Sequence, residues 1–116
     1  MVTAATALVD QLGADVLVLD VEAILGITSH FVIASAPNTR LVARLVEEVD
    51  LRLKEQHDLK PLRTEGLAEA TWVLLDYGDF VVHVFHEETR RFYDLERLWS
   101  DVPQWRPPAP DQAERR

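Results

Sequence analysis

Apolar residues at Ala5, Leu8, Val9 and Leu12 fall three and four apart, the spacing that keeps one side of a helix apolar. A short first helix over Thr3 to Leu12 is predicted, with Gly13 at its C-terminal cap. The pattern then changes to the unbroken run Val16-Leu17-Val18-Leu19, closed by Asp20, which suits a strand covered on both sides. Phe31-Val32-Ile33-Ala34 repeats that pattern after a turn at Gly26, so two adjacent central strands are expected. Beyond Pro37, either Asn38 or Thr39 can accept a backbone N–H at a helix start. Leu41, Val42, Leu45, Val46, Val49 and Leu53 then recur at helical spacing, with Arg44, Glu47, Glu48 and Lys54 largely on the other side. This second helix should run to about Gln56 and lay one apolar stripe on a sheet.

The segment from His57 to Glu65 contains Pro61 and mixed polarity, so a loop or a short edge strand is expected there. Trp72-Val73-Leu74-Leu75-Asp76 and Phe80 to Phe85 are separated only by Tyr77-Gly78-Asp79, a β-hairpin whose reversal falls on a glycine. Phe92, Leu95, Leu98 and Trp99 return to helical spacing, predicting a short final helix that ends near Ser100. After it come Pro103, Pro107, Pro108 and Pro110 among polar neighbours, and residues 103–116 read as a Pro-rich tail without regular structure. The expected fold is a single α/β domain over residues 1–102, a mixed β-sheet packed with helices.

Size and charge narrow the function. The chain has 116 residues and 47% hydrophobic side chains, enough for one self-sufficient core. It has no cysteine, which excludes disulfides, thiol catalysis and cysteine-ligated metals and fits a reducing cytoplasm. No apolar run approaches the roughly 20 residues needed to cross a bilayer. The first 37 residues hold no Lys or Arg, so a secretory or transit leader lacks its charge and the mature chain is expected to begin near Met1. The formal net charge is −8, and residues 64–101 carry most of it. Such a surface disfavours direct nucleic-acid binding and attracts basic proteins.

Little of the sequence spells out chemistry. The four glycines stand far apart, so no glycine-rich phosphate loop is present. The helix start at Ala36-Pro37-Asn38-Thr39 could hold an anion, but so could any helix start. Asp20 and Glu22, two apart at a strand end, resemble a magnesium pair for nucleotidyl transfer. The Gly-Ser turn that such a transferase uses for its triphosphate is missing. His83 and His86 point to opposite sides of one strand and cannot share an ion. Ser29-His30 diverge likewise and have no third group to orient a base. The hairpin is what remains. Trp72 and Tyr77 lie close to Asp76, Asp79, Glu65 and Glu69, and aromatics ringed by carboxylates suit a patch for a basic protein. Core and interface remain equally open for Trp72.

Six blocks together resemble one known family. They are Asp15 to Asp20, Phe31 to Ala34, Glu65-Gly66, Trp72 to Asp79, Val81 to Phe85, and Phe92-Tyr93-Asp94-Leu95-Glu96-Arg97-Leu98-Trp99. In order and spacing these resemble the ribosomal silencing factors, also called iojap-like proteins. The resemblance implies a nucleotidyltransferase-like shape without the catalytic motifs, and no enzymatic activity, cofactor or metal. It implies binding to the large ribosomal subunit through ribosomal protein fourteen, which blocks joining of the small subunit and represses translation when nutrients run low. It also implies a homodimer when free. Carried over by position, the partner-binding residues are Trp72, Leu74, Asp76, Tyr77, Gly78, Asp79, His83 and Phe85, preceded by Glu65 and Gly66. Ser29-His30 and Arg40-Leu41 depart from the family's Asp-Tyr and Arg-Gln, which leaves the loop around residues 29–41 outside the expected site. Two other readings stay open: a divergent metal-dependent nucleotidyltransferase using Asp20 and Glu22, and a scaffold for some other basic protein.

Overall fold

A computed structural model describes residues 1–108. Helix α1 (Val2–Asp10) leads into β1 (Ala14–Asp20), the one-turn helix α2 (Glu22–Leu25) and β2 (His30–Ala36). The long helix α3 (Thr39–His57) is followed by β3 (Arg63–Glu65), β4 (Trp72–Asp76) and β5 (Phe80–His86). Two short helices, α4 (Glu87–Tyr93) and α5 (Leu95–Leu98), and the two-residue β6 (Gln104–Trp105) complete the described chain. The six strands form one mixed sheet in the order β3-β4-β5-β2-β1-β6. Only β2 and β5 run parallel, and every other neighbouring pair is antiparallel.

Strand alternation sorts the apolar residues onto two faces. Val16, Val18, Val32, Ala34, Val73, Leu75, Val82 and Val84 share the first face and are buried under α1 and α3. The stripe on α3 is the expected one: Val42, Leu45, Val46, Val49 and Leu53 are buried. Its start is set by Asn38, whose Oδ1 accepts the Leu41 N–H at 2.8 Å. The buried side of α1 is mostly alanine (Ala4, Ala5 and Ala7 beside Leu8), and small side chains let it lie close to its neighbours. Arg52 ties α3 to Asp10 of α1 with an ion pair of 2.8 Å.

The second face carries Leu17, Leu19, Ile33 and Phe85, buried beneath Leu25, Leu95, Trp99 and Val102 from the connecting segments and the chain after β5. Arg90 of α4 fastens that chain to the sheet. At the irregular register between Ala14 and Leu17, its guanidinium donates to the carbonyls of Ala14 (3.2 Å) and Asp15 (2.8 Å) and to Ser35 Oγ (3.0 Å). Its Nε–H donates to Glu96 at 2.6 Å.

Three expectations need correction. The left-handed residue after α1 is Leu12 (φ 68°), not Gly13. Gly13 is needed for space, since a Cβ there would sit 2.8 Å from the Leu8 carbonyl oxygen. The final helix is two helices, because Asp94 takes φ 49° between them. That break separates the apolar stripe: Leu95 packs inward while Phe92 and Leu98 are 81% and 74% exposed. The stretch read as a tail without structure from residue 103 contributes β6, where Trp105 and Gln104 pair with Val18 and Leu19 of β1. The rest of that tail, residues 109–116, lies outside the described residues.

Candidate functional site

Cross-strand register lays out the second face as a grid. One row runs Trp72, Phe85, Ser35; the next runs Glu65, Leu74, His83, Ile33, Leu17; the third runs Arg63, Asp76, Val81, Phe31, Leu19. At the β1 and β2 end these residues are covered by Leu25, Leu95 and Trp99. At the β4 end Tyr93 packs against Trp72, and Trp72, Leu74, Asp76 and Val81 remain half-buried among the described residues. An apolar sheet surface left open in this way is unusual on a chain without a partner for it.

The hairpin expected to carry the site is therefore present, with its residues in three different roles. Trp72, Leu74 and Asp76 reach the surface, with Glu65 exposed beside them on the edge strand. His83 and Phe85 form the layer beneath. The Trp72 ring stacks on Phe85 at 4.9 Å and packs against Tyr93 at 4.8 Å, while its Nε1–H donates to His83 Nδ1 at 3.1 Å. Trp72 is thus anchored below and open above, core and surface at once. Burial drives the His83 pKa down from 6.5 to about 4, so the ring is neutral and able to accept that bond.

The remaining residues act on the backbone or face elsewhere. Tyr77 turns to the first face, stacks on Phe80 at 5.0 Å and joins the main core. Burial, reinforced by the charge of Asp50, raises its phenol pKa. Gly78, at φ 89°, makes the reversal, its N–H donating to Asp76 Oδ1 at 2.8 Å. Asp79 leaves its side chain exposed and accepts the Ser29 N–H on its carbonyl at 2.7 Å, which ties the loop before β2 to the hairpin tip. Gly66, at φ 84°, is required by contact, because a Cβ there would lie 2.1 Å from the Trp72 carbonyl oxygen.

Several residues flanking the open area were not singled out from the sequence as binding residues. Ile27 and Leu62 are 85% and 73% exposed and, with Phe31 and Leu74, line a cavity of about 330 Å³. On the other side of Trp72 a shallower depression is lined by Phe92 and Tyr93. Only the large aliphatic side chains bordering a hairpin edge could have signalled the first, and sequence separation hides that they meet.

The other candidate chemistry resolves into local structure. Asp20 Oδ1 accepts the Glu22 N–H at 3.3 Å at the start of α2, an ordinary helix-entry contact. Among the described residues no three His, Cys, Asp or Glu side chains gather closely enough to hold a metal ion. His86 bonds the Pro37 carbonyl at 3.1 Å, remote from buried His83 as strand alternation requires. Among the described residues no helix is long and apolar enough to cross a membrane.

Comparison with known proteins gives this geometry its context. Residues 1–116 match the family described as "Ribosomal silencing factor during starvation". The chain is 40% identical over 103 residues to the ribosomal silencing factor of Bacillus subtilis (strain 168), which covers 86% of this chain and 84% of that protein. It is 33% identical over 89 residues to "Mitochondrial assembly of ribosomal large subunit protein 1" of Mus musculus, 74% of this chain and 39% of that one. A crystal structure of a Chromobacterium violaceum protein superposes with a TM-score of 0.80 at 32% identity, covering 93% of this chain and 87% of that chain.

Proposed function

Since the chain belongs to the family of ribosomal silencing factors, we propose that it binds the large ribosomal subunit through ribosomal protein fourteen and blocks joining of the small subunit, repressing translation when nutrients are short. The observation that carries this reading is the uncovered half of the second sheet face, where Trp72 and Leu74 lie half-buried beside the carboxylates of Asp76 and Glu65. A rigid apolar centre whose border sets two carboxylates against the one guanidinium of Arg63, which pairs with both, suits a basic protein. The net charge of −8 opposes contact with the RNA around such a protein, which favours docking on protein.

Silencing of this kind needs occupancy alone: no bond is made or broken, and the fraction of blocked subunits follows affinity and concentration. The fold supports the role of an obstruction, because the site is built on sheet strands and not on a loop. The naming of the mouse relative for large-subunit assembly is in keeping with that partner. The place of action is the cytoplasm. Free of the ribosome, the chain pairs with a second copy, for which exposed Phe92 and Leu98 offer apolar area.

The test is subunit joining followed by light scattering, with purified small and large subunits and an excess of the protein. Slower joining is expected from the parent chain, and joining at full speed from a Trp72→Ala, Leu74→Lys double variant that keeps its circular dichroism. Unimpeded joining in excess parent protein overturns the proposal.

A further inference from the structure

Strand β5 is apolar from Phe80 to Phe85 except at His83, which is only 5% exposed. Burying an imidazole is costly unless its nitrogens are paired, and among the described residues Nε2 has no partner. An apolar side chain at position 83 would fill the same place without that cost. What histidine adds is one polar contact: its Nδ1 accepts the Trp72 indole N–H at 3.1 Å. Burial keeps the ring neutral, so its proton sits on Nε2 and Nδ1 is free to accept.

That acceptor stands on a rigid mount. Trp72 lies opposite Phe85 and Leu74 opposite His83 across the β4–β5 pair, so Trp72 and His83 are diagonal neighbours, within reach of an aromatic side chain. The imidazole packs edge to face on Phe31 at 4.7 Å, and Phe31 meets Trp99 in the same way at 5.6 Å. The covered end of the face thus holds the imidazole still, and the imidazole holds Trp72. Contacts with Phe85 and Tyr93 restrain the indole plane, but a hydrogen bond is directional and fixes which edge of the ring points inward. It also satisfies the indole N–H within the chain, so docking Trp72 against a partner strands no donor.

We propose that His83 is a positioning residue for docking: it touches no part of the ribosomal protein and, by taking the Trp72 N–H, locks the indole in one orientation before that partner arrives. The inference rests on the functional reading above and adds to it the origin of the rigidity at the centre of the site. A half-buried side chain that is already ordered has little freedom left to lose on association, which is worth a few-fold in affinity.

Co-sedimentation with purified large subunits, together with nitrogen NMR, tests it. His83→Leu fills the place without an acceptor, and His83→Asn sets an amide oxygen close to where Nδ1 stands. Affinity should fall about fivefold for His83→Leu and return to within about twofold of the parent for His83→Asn. On a Trp72→Phe background, which has no indole N–H, His83→Leu should cost nothing further. In the ¹⁵N-labelled parent chain, His83 should show a protonated Nε2 and a bare Nδ1, and the Trp72 indole N–H should exchange slowly with solvent; in His83→Leu that exchange should speed up. The parent resonances are read on the free chain and need neither a variant nor the ribosome. A proton on Nδ1 in the parent, parental affinity in a folded His83→Leu, or equal losses in folded His83→Leu and His83→Asn overturns the positioning role and leaves the functional reading standing. Failure of the parent chain to bind large subunits overturns the functional reading and the docking role with it, whatever the resonances show.

Discussion

The two halves of the second sheet face have much the same apolar composition and opposite fates. Over β1 and β2, Leu17, Leu19 and Ile33 are at most 1% exposed, because Leu95, Trp99 and Val102 fold back across them. Over β4 and the adjoining edge of β5, Trp72, Leu74 and Val81 stay half-buried. The difference lies in a short stretch of chain. Arg90 fastens α4 over the irregular start of β1, and Asp94 turns the backbone so that α5 travels toward β1 and not toward β4. One half is thereby spent on stability, and the other is the half proposed above to meet a partner. Substitutions in the two halves should consequently separate folding from binding.

The largest effect belongs to the closed layer. Phe85→Ala removes a ring that is 1% exposed and lies beneath Trp72, and a loss of about 4 kcal/mol in urea unfolding is expected. Next is acid sensitivity from His83. Its pKa is about 4 in the folded chain against 6.5 when unfolded, so below pH 6.5 the unfolded state takes up the proton first. Stability is complete above pH 6.5 and declines as pH falls toward 4, by roughly 3 kcal/mol in total. His83→Phe should flatten the stability curve in that window, and an unaltered slope in the variant would show that other groups cause it. Gly66→Ala, forced into φ 84° against the Trp72 carbonyl, should cost about 2 kcal/mol and disturb binding through Trp72.

These expectations also mark how far the sequence could be read. Helix α3, the hairpin and the central strands were legible because each is a single periodic pattern that packs as its period demands. That the hairpin serves as the binding site is the proposal that family resemblance and its aromatic-acidic composition suggest. Which of its residues face outward was not legible, since Tyr77 and Asp76 are neighbours and lie on opposite sides of the sheet. The split of the last helix escaped because nothing in Asp94 itself demands a positive φ. The pairing of Gln104 and Trp105 with β1 escaped because a two-residue strand has no period. The cavity beside Leu74 draws Ile27, Leu62 and His83 from three separate segments, and no local pattern joins them.

On the open half the same measurements should invert. Leu74→Lys, at a half-buried position opposite His83, should change unfolding free energy by less than about 1 kcal/mol, yet lower large-subunit binding tenfold or more. Equal losses of stability and binding would mean that the open half is a thinly covered part of the core.

The smallest effect is electrostatic and also the most specific to a basic partner. Asp79 is exposed, its carbonyl accepting the Ser29 N–H and its charge acting on the Met1 amino group, and Glu65 is exposed and pairs loosely with Arg63 at 3.4 Å. Neutralising both, as Asp79→Asn with Glu65→Gln, removes no packing and should leave stability unchanged within about 0.5 kcal/mol. If the acidic border steers the chain onto a basic protein, association should slow about threefold at low ionic strength and match the parent at high salt, where the charges are screened. Dissociation should hardly alter, because the apolar centre at Trp72 and Leu74 is intact. A variant that binds faster at low salt would place the contact on RNA phosphates, since removing acidic charge helps only a chain that is being repelled.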